Sequence, residues 1–430
     1  MKRHAMERLV EWKNSKRRKP LILRGARQVG KTWLMKEFGR THFENTAYVN
    51  FDNNERMRTL FDGDYDISRL IDGLQVETDE KIDPQTTLLV FDEVQEVPKA
   101  LSSLKYFYEN SPELVIMAGG SLLGVALHPG TSFPVGKIDF HHLYPLSFSE
   151  FLAGLGEESL AELLRKKDWK LIAAFKSKYT DLLRKYYYVG GMPEAVAEYS
   201  QSRDYDEVRR IHKQILFTYE QDFSKHAPAN AVPRIRNIWN SIPAQLSRES
   251  KKFSAGIVQK GSRLSDHELA LQWLSDCGLL SKVKQVSKPA IPLSSCETNF
   301  YKVFMHDVGL LSTISDLDKK TLLEGNRIFE ELKGALTEQY VFQEMVAKGI
   351  TPFYWSSRGT AEVDFVFLHG SDVFPIEVKA EENLQSKSLK VYNERFAPPI
   401  SFRTSMKDYR RESWLMNIPL YAIGTDFTDD

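Results

Sequence analysis

The sequence is poor in cysteine. Cys277 and Cys296 are the only two in 430 residues, and they form no Cys-x-x-Cys pair. No histidine cluster stands at metal-ligand spacing either, so neither a disulfide framework nor a structural zinc site is expected, and both thiols are read as inert. No run reaches the roughly 18 apolar residues of a membrane-spanning helix. The opening Met1-Lys-Arg-His-Ala-Met-Glu7 lacks the apolar centre of a signal peptide. These absences point to a chain of the reducing cytoplasm with no membrane partner. An excess of one charge is missing too: Lys plus Arg and Asp plus Glu both number 58, so any surface for nucleic acid must be local. What remains is 42% hydrophobic and 27% charged, the balance of a globular protein. The length exceeds what one core serves, which predicts several domains.

Leu21-Ile22-Leu23 reads as a short buried strand, and Trp33-Leu34-Met35-Lys36-Glu37-Phe38 as a helix. Between them lies Gly25, Ala26, Arg27, Gln28, Val29, Gly30, Lys31 and Thr32, the pattern G-x-x-x-x-G-K-[ST] in the strand-loop-helix setting it requires. The two glycines permit a tight backbone path, and the free amides with the helix N-terminus form a site for phosphate oxygens. ATP is the expected ligand, held by residues 25–32 and Trp33. Lys31 would pair with its β- and γ-phosphates and the Thr32 hydroxyl would meet the bridging Mg²⁺.

Leu88-Leu-Val-Phe-Asp92-Glu93 is an apolar run ending in two acids, a buried parallel strand delivering carboxylates at its C-terminal edge. Asp92 would serve Mg²⁺ and Glu93 the attacking water. Ala47–Phe51 is a further strand candidate between these motifs, which suggests a strand inserted between the phosphate-loop strand and the Asp-Glu strand. Another strand is expected at Leu114–Ala118. It runs into Gly119-Gly120-Ser121, where Ser121 either senses the γ-phosphate or simply turns the chain. The basic run Lys13–Lys19 is either a solvated approach to the first strand or a contact for phosphate.

From Glu150 to about Ser224 the periodicity is helical, with Tyr186-Tyr187-Tyr188 serving core packing or base stacking. Residues 228–263 carry Arg234, Arg236, Arg248, Lys251, Lys252, Lys260 and Arg263 against the single acid Glu249, the best candidate surface for DNA. Ser265 and Glu268 read as a capping box for a helix to about Cys277 with Leu269, Leu271, Trp273 and Leu274 apolar. The stretches Leu280–Gln285 and Phe300–Phe304 follow as a hairpin. This arrangement resembles a winged helix, used either on DNA or for packing alone.

In the last segment, Ala361–Leu368 and Phe374–Lys379 alternate as two strands joined by the turn His369–Asp372. Residues two apart on a strand face the same way, so Glu377 and Lys379 project together, beside Asp364 if the hairpin pairs in register. Asp364 and Glu377 offer hard oxygen ligands, Glu338 a third acid from an upstream helix, and Lys379 a group to orient or deprotonate water. The pattern resembles the D…E-x-K arrangement of restriction-like nucleases. A hairpin with one solvated face is the alternative.

Taken together, Gly25–Thr32, Asp92-Glu-Val-Gln95, Tyr144-Pro-Leu-Ser-Phe-Ser-Glu-Phe151, Gly190-Gly-Met-Pro-Glu194, Asp307-Val-Gly-Leu310, Glu362-Val-Asp364 and Glu377-Val-Lys379 resemble a prokaryotic family of AAA+ ATPases. Members join the ATPase to a C-terminal domain of unknown function. The resemblance implies an α/β multidomain chain in four parts. These are an AAA+ P-loop ATPase core with a parallel sheet over 1–150, a helical lid over 151–225, a winged-helix-like segment over 226–305, and a restriction-endonuclease-like α/β domain over 306–430. It further implies Mg²⁺-dependent ATP hydrolysis and self-association into a homo-oligomer whose sites are completed by a neighbour's cation. Relatives carry Gly-Arg before the Pro-Leu-Ser-Phe motif. Here Gly136 is followed by Lys137, which brings charge without the bidentate fork of an arginine finger.

Overall fold

The computed structural model describes residues 1–120, 136–248, 250–324, 329–357, 361–380 and 386–425, without the side chains of 322–324 and 329–331. They divide into two compact units, Lys2–Tyr144 with Asp276–Gly278, and Pro145–Ser275 with Leu279–Asp430 and Met1.

The first unit is built on five strands: β1 (Leu21–Arg24), β2 (Asn45–Asn50), β3 (Thr87–Asp92), β4 (Val115–Gly119) and β5 (Asp139–His142). All pairs are parallel, in the order β2-β3-β4-β1-β5. Every residue of β3 and β4 is buried, as expected of central parallel strands covered on both faces. Phe91 of β3 meets Phe51, Phe61 and Phe107 in edge-to-face ring contacts of 5.2 to 6.1 Å, which ties the helices Glu55–Asp62 and Pro98–Asn110 to the sheet. The strand between the phosphate-loop strand and the Asp92 strand is β4, not the Ala47–Phe51 candidate. That candidate is β2, at the sheet edge. The burial patterns give the reason: β2 alternates and carries Asn45, Thr46, Tyr48 and Asn50, whereas β4 is apolar and wholly buried, so the polar strand takes the edge.

The second unit begins with six helices between Phe148 and His226. Tyr186, Tyr187 and Tyr188 are all buried there, so they pack the core and do not stack on bases. The sequence landmarks of this region meet at one internal junction. Ser147 caps the helix Phe148–Gly154 in a reciprocal pair with Glu150, and Tyr186 Oη donates to the Leu146 carbonyl. Leu146 N donates to Gly191 O at 2.7 Å. Asp307 accepts from Gly191 N at 2.6 Å and from Leu310 N at 2.9 Å, starting the helix Val308–Ile314. Gly309 and Gly190 approach so closely that a Cβ on Gly309 would lie 2.8 Å from Gly190 Cα. These motifs are explained by backbone packing rather than catalysis.

The helix expected from Ser265 starts differently. A 3₁₀ turn, Leu264–His267, precedes the helix Glu268–Asp276. Asp266 accepts from Arg263 N at 2.8 Å, while Glu268 pairs with Lys282 at 2.9 Å, so the Ser265–Glu268 box is not formed. Leu269 is 79% exposed, because a start shifted by the 3₁₀ turn rotates it off the core face.

Eight strands then make one mixed sheet: β6 (Leu280–Val286), β7 (Glu297–Met305), β8 (Phe353–Ser356), β9 (Glu362–His369), β10 (Asp372–Val378), β11 (Ser401–Ser405), β12 (Arg410–Arg411) and β13 (Leu415–Pro419). The order is β12-β13-β11-β10-β9-β8-β6-β7. The hairpin β6–β7, expected as the wing of a separate segment, joins this sheet through parallel pairs Gln285–Tyr354 and Val286–Trp355. The boundary expected at 305/306 therefore falls inside a continuous sheet.

Candidate functional sites

In the first unit, β1 ends at Arg24 and the helix Lys31–His42 starts six residues after Gly25 turns the chain. Gly25 (φ +147°), Gln28 (φ +66°) and Gly30 (φ +95°) take left-handed conformations that wind the loop so its amides converge. Arg3, buried and unforeseen from sequence, donates to Val29 O at 3.1 Å and Tyr144 O at 2.6 Å, bracing the loop from beneath. Lys31 is buried and donates to Gly25 O at 3.0 Å and Ala26 O at 2.8 Å. Burial lowers its pKa to about 8, partly opposed by Glu93 and Asp92. Trp33 stands exposed one position past Thr32.

The Thr32 hydroxyl donates to Asp92 Oδ2 at 2.7 Å, so the two residues expected at Mg²⁺ are side by side. Tyr48 Oη donates to the same oxygen at 2.8 Å, and Glu93 N donates to Asp92 Oδ1 at 3.1 Å. Tyr48 is across from Val90 in the β2–β3 register, which puts it on the face of Asp92; the alternation of β2 was the signal for it. Glu93 adopts φ +51°, ψ +41°, a left-handed turn that swings its carboxylate out of the strand line. Gln95 Nε2 then donates to Glu93 Oε2 at 2.7 Å. A hydroxyl and a carboxylate in contact beside a cradle of amides are a donor set that fits Mg²⁺.

Of the remaining sequence candidates, one is not brought to this site and one cannot be placed in it. Ser121 lies outside the described residues. Lys137 precedes β5, whose Asp139 pairs with Leu21 at the start of β1, so it sits at the sheet edge opposite the phosphate loop, 3.1 Å from Glu109. The run Lys13–Lys19 shapes the approach to β1: Arg18 donates to Lys13 O and Glu113 O, each at 2.9 Å.

In the second unit, β9 and β10 pair antiparallel from Asp372–His369 to Ile376–Phe365. Continuing this register sets Glu377 opposite Asp364, as the alternation predicted. Asp364 Oδ2 accepts from Val378 N at 2.8 Å, and Glu377 Oε1 meets Lys379 Nζ at 2.7 Å. Glu338, on the helix Phe329–Ala347, joins them, but so do two lysines from the preceding segment. Lys251 Nζ pairs with Glu338 Oε1. Lys302 Nζ, on β7, lies 2.7 Å from Glu362 Oε1 and 3.7 Å from Glu338 Oε2.

The electrostatics follow from this arrangement. Burial, then Glu338 and Glu377, push the Asp364 carboxyl well up. Burial also raises Glu377, against the pull of Lys379. Burial acts to raise Glu338 as well, but Lys251 and Lys302 hold it below the usual range. For Lys379, burial is outweighed by Glu377 and Asp364, and its pKa rises. It stays an ammonium, which leaves an orienting role and removes the expected one of deprotonating water. Among the described residues no group of three or more His, Cys, Asp or Glu is arranged to hold a metal ion. As placed, these acids face ammonium groups and do not fit a divalent cation.

Of the seven cations expected to form a DNA surface, Arg234, Arg236, Arg248, Lys260 and Arg263 are exposed and Lys252 is half-buried. Lys251 is withdrawn into the carboxylate cluster and does not belong to that surface. No helix among the described residues is long and apolar enough to cross a membrane.

No curated protein matches the chain. Among solved structures it is similar to a Walker-type ATPase of Pyrococcus abyssi, with 15% identity over 73% of this chain and 95% of that one and a TM-score of 0.46. The Orc1 protein of Aeropyrum pernix, solved in complex with DNA, shows 14% identity over 73% and 91%, with a TM-score of 0.26. Cdc6p of Pyrobaculum aerophilum shows 12% over 71% and 88%, with a TM-score of 0.24. These likenesses are too distant to add to the strand order and loop geometry described above. Family profiles match in three places: residues 17–152 match an AAA domain, 180–321 a domain of unknown function, DUF8612, and 333–423 a domain of unknown function, DUF4143. The first unit is thus an AAA-type P-loop ATPase fold, carried on a chain whose later segments match domains of unknown function.

Proposed function

We propose that the chain binds ATP with Mg²⁺ and hydrolyses it. The observation that carries this reading is the 2.7 Å contact between Thr32 Oγ1 and Asp92 Oδ2, which joins the phosphate loop to the acid-bearing strand at the point where Mg²⁺ is needed. Thr32 and Asp92 would hold the ion, which when bound offsets charge on the phosphates. The amides of residues 25–32 would take the phosphate oxygens, and Lys31 would exchange its two loop carbonyls for the β- and γ-phosphates. Its pKa of about 8 keeps most of it charged at neutral pH, and an anionic ligand would raise that value. Glu93 would orient water and accept its proton, with Gln95 fixing the carboxylate's direction.

The test is phosphate release and labelled-ATP binding by wild type, Lys31→Ala and Glu93→Gln. Lys31→Ala should lose binding. Glu93→Gln should bind ATP normally and turn over at least about a hundredfold more slowly, the usual size of a general-base effect. Turnover by Glu93→Gln equal to wild type would sink the assignment.

A second reading couples nucleotide state to DNA. It is favoured by the exposed Arg234, Arg236, Arg248, Lys260 and Arg263 and by the order of helices followed by the β6–β7 hairpin. In this reading the helices before the β6–β7 hairpin, with the hairpin itself kept in the eight-stranded sheet, contact DNA as a winged helix does, and the C-terminal segment keeps a restriction-like fold, whose acids are held by lysines and inactive. Lys137 would meet a nucleotide only in a neighbouring copy of a homo-oligomer. Charge reversal at Arg234 and Arg236 should weaken DNA binding and flatten its salt dependence.

A further inference from the structure

Gln95 follows Glu93 by two residues on a short turn, and one of its two amide atoms is already in use: Nε2 donates to Glu93 Oε2 at 2.7 Å. We propose that Gln95 is a catalytic residue of ATP hydrolysis, its Oε1 accepting a hydrogen bond from the attacking water while Glu93 accepts that water's other proton. The inference rests on the ATPase reading above and deepens it by naming a second group that touches the nucleophile.

The turn is held firmly. Glu93 leaves β3 with φ +51°, its amide tied to Asp92 Oδ1 at 3.1 Å. The 3₁₀ turn Val94–Glu96 follows, closed by Glu96 N to Glu93 O at 3.0 Å and Val97 N to Val94 O at 3.2 Å. Val94 and Val97 are buried in the core of the first unit, so Glu93 and Gln95 ride on an anchored backbone. Only the nitrogen of the Gln95 amide can donate to a carboxylate, which fixes the orientation of the group. Oε1 is left as an acceptor. It is shielded from bulk solvent and has no hydrogen-bond partner among the described residues. A shielded acceptor without a donor is costly, and a water at that oxygen would supply one.

The place suits the nucleophile. Of the charges acting on Lys31, Glu93 is the strongest, ahead of Asp92, so this carboxylate lies beside the ammonium that would take the β- and γ-phosphates. Nε2 and Oε1 of Gln95 hang from one carbon, which puts Oε1 within reach of a water hydrogen-bonded to Glu93. In the step itself the water oxygen bonds to the γ-phosphorus as the bond from that phosphorus to ADP breaks, and the electron pair leaves on ADP. One water proton passes to Glu93. The other stays on the incoming oxygen, hydrogen-bonded to Gln95 Oε1, so no proton or charge moves onto Gln95. Two acceptors on the two hydrogens turn the water's lone pair toward phosphorus, where orientation is most of the catalytic work.

The experiment compares wild type, Gln95→Met, Glu93→Gln and the double variant of the full chain by single-turnover hydrolysis of labelled ATP with Mg²⁺, beside binding of the same ATP. Methionine matches glutamine in length and offers only a weak acceptor. Gln95→Met should bind ATP within about twofold of wild type and hydrolyse it at least about tenfold more slowly. In the Glu93→Gln background the same substitution should slow the residual rate by at least about fivefold again. A residue that only aimed Glu93 would add nothing there. In both backgrounds Gln95→Met should also weaken the complex of ADP with aluminium fluoride, which takes up the attacking water, and spare that of ADP with beryllium fluoride, which stands for the bound γ-phosphate. Gln95→Leu carries the same comparisons if Gln95→Met does not fold. An unchanged rate in Gln95→Met, or equal rates in Glu93→Gln and the double variant, would overturn the proposal and leave the ATPase reading standing, whereas a wild type that does not hydrolyse ATP would overturn both.

Discussion

Glu344 shows how a single side chain of the second unit ties stability to pH. It is 2% exposed and accepts from Phe148 N at 2.7 Å, holding the start of the Phe148–Gly154 helix to the helix Phe329–Ala347. Burial raises its pKa to about 7, opposed by the Phe148 hydrogen bond and by Lys348. The folded chain therefore binds a proton that the unfolded chain has released, between the ordinary glutamate range and pH 7. Its contribution to stability is complete below that range and is lost as pH rises through about 7. Glu344→Gln keeps an acceptor for Phe148 and cannot titrate. The variant should gain on wild type by about 2 kcal/mol as pH is raised from about 5 to 8, read as a Tm difference that widens with pH. A constant difference would remove Glu344 from this role. Asp307, raised to about 6 by burial, titrates in both proteins and cancels. Residues such as Lys31, Thr32 and Asp92 were legible because one contiguous pattern dictates their chemistry. Glu344, Arg3 and Lys251 were not, because each acquires its partner from a distant part of the chain.

The phosphate loop is the element on which most of the first unit's chemistry depends, and Gly25 is its tightest point. Its φ is +147°, and a Cβ there would collide with the Leu143 carbonyl just after β5. Gly25→Ala must move the loop away from that strand end or strain its backbone, at a cost of about 1–3 kcal/mol. Nucleotide affinity should fall at least about tenfold, measured by titrating a fluorescent ATP analogue, with the far-ultraviolet dichroism unchanged. Unaltered affinity would mean that the loop is not held against β5 when it binds. Elements of this kind were read well from local pattern: β1, β3 and β4 fall within a residue or so of where apolar runs predicted them. What local pattern could not supply was neighbourhood. The edge position of β2 depends on which strand best tolerates burial on both faces, and the displaced start of Glu268–Asp276 on a carboxylate at Asp266 taking a cap expected from Ser265.

For the whole molecule, the question is where the chain can be cut. The sequence placed a boundary at 305/306, between a winged-helix-like segment and a terminal domain, because helix-then-hairpin order resembles a self-contained module. The sheet runs across that division. Residues 280–305 supply β6 and β7, and β6 covers β8, whose Trp355 packs with Val286, Tyr392 and Leu389 in one apolar cluster. A fragment of 306–430 would uncover the edge of β8 and strip Lys302 from Glu338 and Glu362. Unpaired backbone and unpaired buried acids are both destabilising. It should be insoluble or lack a cooperative thermal transition. A fragment of 145–430 retains every strand of the eight-stranded sheet and the junction of Leu146, Gly191 and Asp307, and should unfold in one transition. Scanning calorimetry on both fragments decides the matter, and cooperative folding of 306–430 alone would restore the four-part division.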